Sequence, residues 1–80
     1  MKYVLFAKPA CPFCVRAETL LKERSLVCHV VNFDEDQEEV LQSMKVAWDW
    51  ETVPMVFHVG DKGDIKFIGG CDDLEQHLSV

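Results

Sequence analysis

The chain reads as an α/β domain, a four-stranded mixed sheet flanked by three helices in the order β-α-β-α-β-β-α. Three observations predict this. An apolar, β-branched and aromatic run at residues 2–7 is followed by a helical stripe and then a second such run, which together make a β-α-β unit with parallel strands and a right-handed crossover. A Gly60-Asp61-Lys62-Gly63-Asp64 turn separates two short apolar runs and marks a hairpin. Eighty residues with 49% hydrophobic content suffice for one small core, so a single domain is expected over residues 1–80.

The elements follow in order. Lys2 to Ala7 is almost continuously apolar and suits a strand buried on both faces, which Lys8-Pro9-Ala10 then breaks. From Pro12 to about Arg24, Cys14, Ala17 and Leu21 fall on one helical stripe with Leu20 beside them, while Arg16, Glu18, Lys22 and Glu23 take the other positions. Leu26 to Phe33 reads as a second strand, with Cys28 placed centrally in the sheet. Asp34 to Met44 starts acidic and carries Val40, Leu41 and Met44 at helical spacing. Residues 55–59 and 65–68 form the hairpin strands. Beyond Gly69-Gly70, Cys71, Leu74 and Leu78 share one side of a short last helix, Cys71 to Leu78.

Charge narrows the partners. Fourteen acidic residues against eight basic give a net charge of -6, and the basic residues are dispersed. Neutralising a phosphate backbone needs clustered Lys and Arg, so nucleic acid is not an expected partner. The apolar run Tyr3 to Ala7 is far shorter than a membrane span or a signal-peptide core. A cytoplasmic protein without a membrane partner is therefore expected, and structural disulfides are rare in that compartment. The four cysteines accordingly read as reactive or buried thiols. Cys28 and Cys71 are expected to be core thiols, and His29, His58 and His77 to be surface or strand residues without partners.

Cys11 and Cys14 carry the chemistry. Pro12 suits the first turn of a helix, because its missing N–H has no intrahelical partner there. Cys11 then caps the helix and Cys14 follows about one turn later, within disulfide reach. The unpaired N–H groups and positive end of the helix dipole favour thiolate over thiol at Cys11. Lys8 can add positive charge. Cys14, on the apolar stripe, stays protonated and shielded. Unequal sulfurs suit disulfide exchange, in which one attacks and the other resolves. The competing use of such a pair is half of a zinc site, which needs two further ligands. Cys28, the lone Cys71 and the three histidines do not supply them at ligand spacing, and no metal is expected.

The strand, Cys11-Pro12-Phe13-Cys14 opening a helix, Thr52-Val53-Pro54 and Gly69-Gly70-Cys71-Asp72-Asp73-Leu74 together resemble the dithiol glutaredoxins of the thioredoxin superfamily over nearly the whole chain. The resemblance implies a thioredoxin-like fold and a glutathione-dependent thiol–disulfide oxidoreductase, with Cys11 as nucleophile and Cys14 as resolving thiol. It implies a cis bond before Pro54, leaving the backbone of Val53 free to pair with glutathione. It places the γ-glutamyl end of glutathione on Gly70, Cys71 and Asp72, its glycyl carboxylate near Lys8, and Phe13 and Thr52 along the groove. Asp73 reads equally well as a helix-capping acid. The implied partners are glutathione and disulfide-containing or glutathionylated proteins, ribonucleotide reductase among the family's substrates, with the protein acting as a monomer.

This chain departs from the resemblance in three places. Phe13 stands where many relatives have Tyr, the hairpin from Met55 to Ile68 is longer, and Ala47-Trp48-Asp49-Trp50-Glu51 is acidic and aromatic where a basic or amide residue is common. The two tryptophans either cover core at the end of the second helix or, in one case, border the groove and shape access to Cys11. Two other functions use the same motif: a thioredoxin-like donor recycled by a flavoprotein reductase, and a glutathione-ligated iron–sulfur carrier. Gly69-Gly70-Cys71-Asp72 with Lys8 disfavours the first, and Pro12 with Cys14 the second.

Overall fold

In a computed structural model describing residues 2–79, the elements are β1 (Lys2–Ala7), α1 (Pro12–Glu23), β2 (Cys28–Asn32), α2 (Glu38–Ala47), β3 (Met55–Val59), β4 (Ile65–Gly69) and α3 (Cys71–Leu78). The expected element order holds. The acidic stretch before α2 is a separate 3-10 turn, Glu35–Gln37, because Gln37 Oε1 turns back to accept the Asp34 N–H at 3.1 Å. The helix then runs on to Ala47, past the expected Met44.

The sheet order is β2-β1-β3-β4. β1 runs parallel to β2, with Leu5 opposite Val30, and antiparallel to β3, with Leu5 opposite Val56. β2 is thus an edge strand. Cys28 is half-buried there, not central as expected from its apolar neighbours, because the later hairpin takes the other side of β1.

Strand alternation sorts the core into two layers. Tyr3, Leu5 and Ala7 of β1 pack with Val56 against Cys14, Ala17 and Leu21 of α1 and Cys71 and Leu74 of α3. Val4 and Phe6, on the opposite face, pack with Phe33, Leu41, Met55 and Phe57. Only the first face of β1 is fully buried. Arg16 of α1 and Glu75 of α3 form an ion pair across the first layer.

Two helix ends aim the chain. After α1, Ser25 takes φ 56°, and the Leu26 N–H returns to the Leu21 carbonyl at 3.0 Å. After α2, Asp49 takes φ 52°, the Asp49 N–H reaches Val46 O at 3.2 Å and the Trp50 N–H reaches Lys45 O at 2.8 Å. This paired closure is a Schellman motif, and it fixes where Trp50 leaves the helix.

His58 and His77 differ from expectation. Tyr3 and His77 share a hydrogen bond at 3.1 Å, and the Tyr3 ring meets His58 edge-on at 5.0 Å between centroids. These partners lie up to 74 residues apart in the chain, so no local pattern announces them. Burial pushes the Tyr3 phenol above its ordinary pKa, which keeps it neutral against the imidazoles.

Candidate functional site

The site forms where β1 ends and α1 begins. Cys11 is the N-cap of α1 with extended backbone, and Pro12 opens the helix. Cys11 and Cys14 form a disulfide, with Cα atoms 5.2 Å apart. The Cys14 N–H donates to Cys11 Sγ at 3.2 Å, so a sulfur occupies the acceptor position that Ser or Asp usually fills at a helix start. Cys14 is 5% exposed while Cys11 is only partly buried, and the expected inequality of the two sulfurs is present.

Beside the disulfide lies a groove of about 280 Å³ that gathers Phe13, Thr52, Val53, Pro54, Gly70, Cys71 and Asp72 from separate parts of the chain, together with Trp50 and Asp73. The Val53–Pro54 bond is cis, and among the described residues neither backbone group of Val53 has a hydrogen-bond partner in the main chain. Val53 and Cys11 pack on the same core layer as Cys14 and Cys71. Phe13 projects over the groove and is 58% exposed.

The opposite wall is the start of α3. Gly69 has φ 124°, a conformation open to glycine, and it turns the chain into Gly70, the N-cap. The Gly70 N–H donates to Asp73 Oδ2 at 2.9 Å. Asp73 therefore caps its own helix. Asp72 is exposed and its carboxylate stays outside this cap. The first N–H groups of α3, at Cys71 and Asp72, have no acceptor within the helix and form a place for a carboxylate.

Lys8 lies apart from that groove. It lines a second cavity of about 160 Å³ with Cys11 and Cys14, and its Nζ is held by Glu38 at 3.0 Å. The Lys8 hydrogen bond, with a second one from Gln42, holds the Glu38 carboxyl below its usual pKa. A partner 30 residues away thus ties up the cation that the sequence placed beside Cys11.

The tryptophans divide between the two readings. Trp48 caps α2 and packs on Phe57 and Phe67, whereas Trp50 borders the groove. Cys71 is buried in the groove wall, and burial pushes its thiol above the ordinary value.

A dithiol at a helix start, facing a cis proline on a four-stranded mixed sheet, defines the thioredoxin-like class. Within it the chain belongs to the glutaredoxin family, whose model matches residues 3–63. It is 39% identical over 72 residues to glutaredoxin-C6 of Oryza sativa, covering 88% of this chain and 60% of that protein's length. A crystal structure of wheat glutaredoxin superposes with a TM-score of 0.83 at 30% identity, covering 99% of this chain and 73% of the other. The buckwheat glutaredoxin–glutathione complex superposes with a TM-score of 0.79 at 28% identity, covering 96% and 68%.

Proposed function

We propose that this chain is a glutathione-dependent thiol–disulfide oxidoreductase, acting as a cytoplasmic monomer on glutathionylated proteins and protein disulfides. The observation that carries it is the Cys11 sulfur at the start of α1, accepting the Cys14 N–H beside a groove with free Val53 backbone groups. In the reduced protein, the Cys11 thiolate attacks the glutathione sulfur of a protein–glutathione disulfide. The protein thiolate leaves and takes a proton. Cys11 now carries glutathione, whose extended backbone pairs with Val53 while its γ-glutamyl carboxylate meets the first N–H groups of α3. A second glutathione thiolate attacks this disulfide, releases oxidised glutathione and restores Cys11.

For a protein disulfide, Cys11 attacks first and Cys14 then displaces the substrate's remaining thiol. The product is the Cys11–Cys14 disulfide, which two glutathiones reduce in turn. Enzymes that form a disulfide at each turnover, such as ribonucleotide reductase, are substrates of the matching class.

The test is reduction of a glutathionylated peptide by wild-type protein, coupled to glutathione reductase. Saturable turnover dependent on glutathione is expected. No turnover, together with reduction of the Cys11–Cys14 disulfide by a flavoprotein thioredoxin reductase, overturns the proposal.

A further inference from the structure

Trp50 holds a donor that the free protein leaves without an acceptor. Among the described residues, its indole Nε1 is the one buried side-chain nitrogen or oxygen that lacks a hydrogen-bond partner. Such groups cost free energy and are rare in folded proteins, so this one calls for a physical reason. The ring is braced from behind by the Schellman closure of α2 and by Phe67, which it meets edge-on with centroids 5.2 Å apart. Its Cζ2 atom belongs to the same edge of the indole as Nε1. That atom lies 3.6 Å from where a Cβ on Gly70 would stand. The edge bearing the N–H is therefore turned toward the glycine wall of the groove.

The charge around the groove sharpens the point. Among the described residues no Lys or Arg lines it, while Asp72 and Asp73 do. Lys8 and Arg16 on neighbouring elements are held by Glu38 and Glu75, and Lys45 of α2 lines a separate cavity on another side of Trp50. Among the described residues, the side-chain N–H and O–H donors this groove offers a tripeptide with two carboxylates are the Thr52 hydroxyl and, buried in the wall, the Trp50 indole N–H.

We propose that Trp50 is a specificity-determining residue for glutathione. Its indole N–H donates to a carboxylate or peptide-carbonyl oxygen of the tripeptide attached to Cys11, after a small rotation of the ring brings the N–H from the wall into the groove. This rests on the glutathione-dependent reading above.

Two measurements test it. Trp50→Phe keeps an aromatic ring on Phe67 and removes the donor together with the second ring of the indole. In the glutathionylated-peptide assay it is expected to raise KM about fivefold, the range of one hydrogen bond, with kcat within about twofold. In proton–nitrogen spectra of Cys14→Ser locked as its mixed disulfide with glutathione, the Trp50 indole N–H resonance is expected to move downfield relative to the reduced variant, while that of Trp48 stays. An unmoved Trp50 resonance overturns the proposal whatever happens to KM, as does an unchanged KM in Trp50→Phe. Failure of the parent reading looks different, because wild-type protein then does not turn over the glutathionylated peptide at all.

Discussion

The two helices that wall the site begin alike and serve different ends. Each N-cap follows a residue of positive φ, Ala10 at 57° before Cys11 and Gly69 at 124° before Gly70. Each helix start directs unpaired N–H groups outward. At α1 the atom that answers them is the Cys11 sulfur, which takes the Cys14 N–H at 3.2 Å. At α3 the side-chain cap runs the other way: the Asp73 carboxylate, on the third helical residue, takes the N–H of the N-cap Gly70 at 2.9 Å, and the Cys71 and Asp72 N–H groups stay open. The Cys11 sulfur is a weak acceptor but a nucleophile, whereas the Asp73 carboxylate is a strong acceptor that does not attack disulfides. The helix start supplies the same field in both places. The cap atom decides whether it activates a reagent or stabilises a fold.

The largest effect expected of breaking this contrast is on the α1 side. Cys11→Ser should lower mixed-disulfide turnover on the order of a thousandfold, about 4 kcal/mol of barrier. Cys14→Ser should keep turnover on glutathionylated peptide and lose it on protein disulfides, as measured with the two substrates side by side. If Cys14→Ser fails equally on both, the division of roles between the sulfurs is wrong.

On the α3 side the effects should fall on stability. Gly69→Ala places a side chain at φ 124° with its Cβ 2.7 Å from Asp73 Cγ. It should cost about 2 kcal/mol or more in urea unfolding. Asp73→Ala removes the cap and should cost about 1 kcal/mol, with turnover changed by less than a few-fold. Ala10→Gly relieves the milder left-handed conformation ahead of Cys11. It should gain only about 0.5 kcal/mol, since glycine also loses more chain entropy on folding. A loss of turnover in Asp73→Ala as large as that in Cys11→Ser would erase the distinction between the two helix starts.

Much of this arrangement was legible from residue order alone. Apolar, β-branched runs located β1, β3 and β4, and helical stripes located α1 and α3, because these are local patterns. The Cys11-Pro12 pair marked the start of α1, since proline there satisfies a local backbone rule. Cys28 was misplaced because its apolar surroundings do not say which side of β1 the hairpin occupies. Lys8 lines a cavity with Cys11 and Cys14 and also pairs with Glu38 at the start of α2, a partner the sequence did not announce. The Tyr3–His77 contact joins the two ends of the chain and has no local signature. Trp50 was visible as one of two candidates. Only the closure of α2 after Asp49 shows which of the two faces the groove.

The remaining thiols supply the sharpest contrast with Cys11. Burial first, then the nearby Glu18 charge against an opposing Lys22, pushes the Cys28 thiol up, and burial likewise raises Cys71. Both therefore stay neutral at pH 7. The stability they lend as buried neutral thiols is present below the ordinary thiol pKa and is lost as pH rises through their raised folded values. We propose that the start of α1 makes Cys11 alone a thiolate near neutrality. The direct measurement is brief alkylation of the fully reduced wild-type protein with iodoacetamide at pH 7, followed by peptide mass mapping. One modification is expected, on Cys11, with Cys28 and Cys71 labelled only as the pH is taken above the ordinary thiol range. Labelling of Cys14 as fast as Cys11, or of Cys28 or Cys71 ahead of it at pH 7, would show that the start of α1 does not single out Cys11.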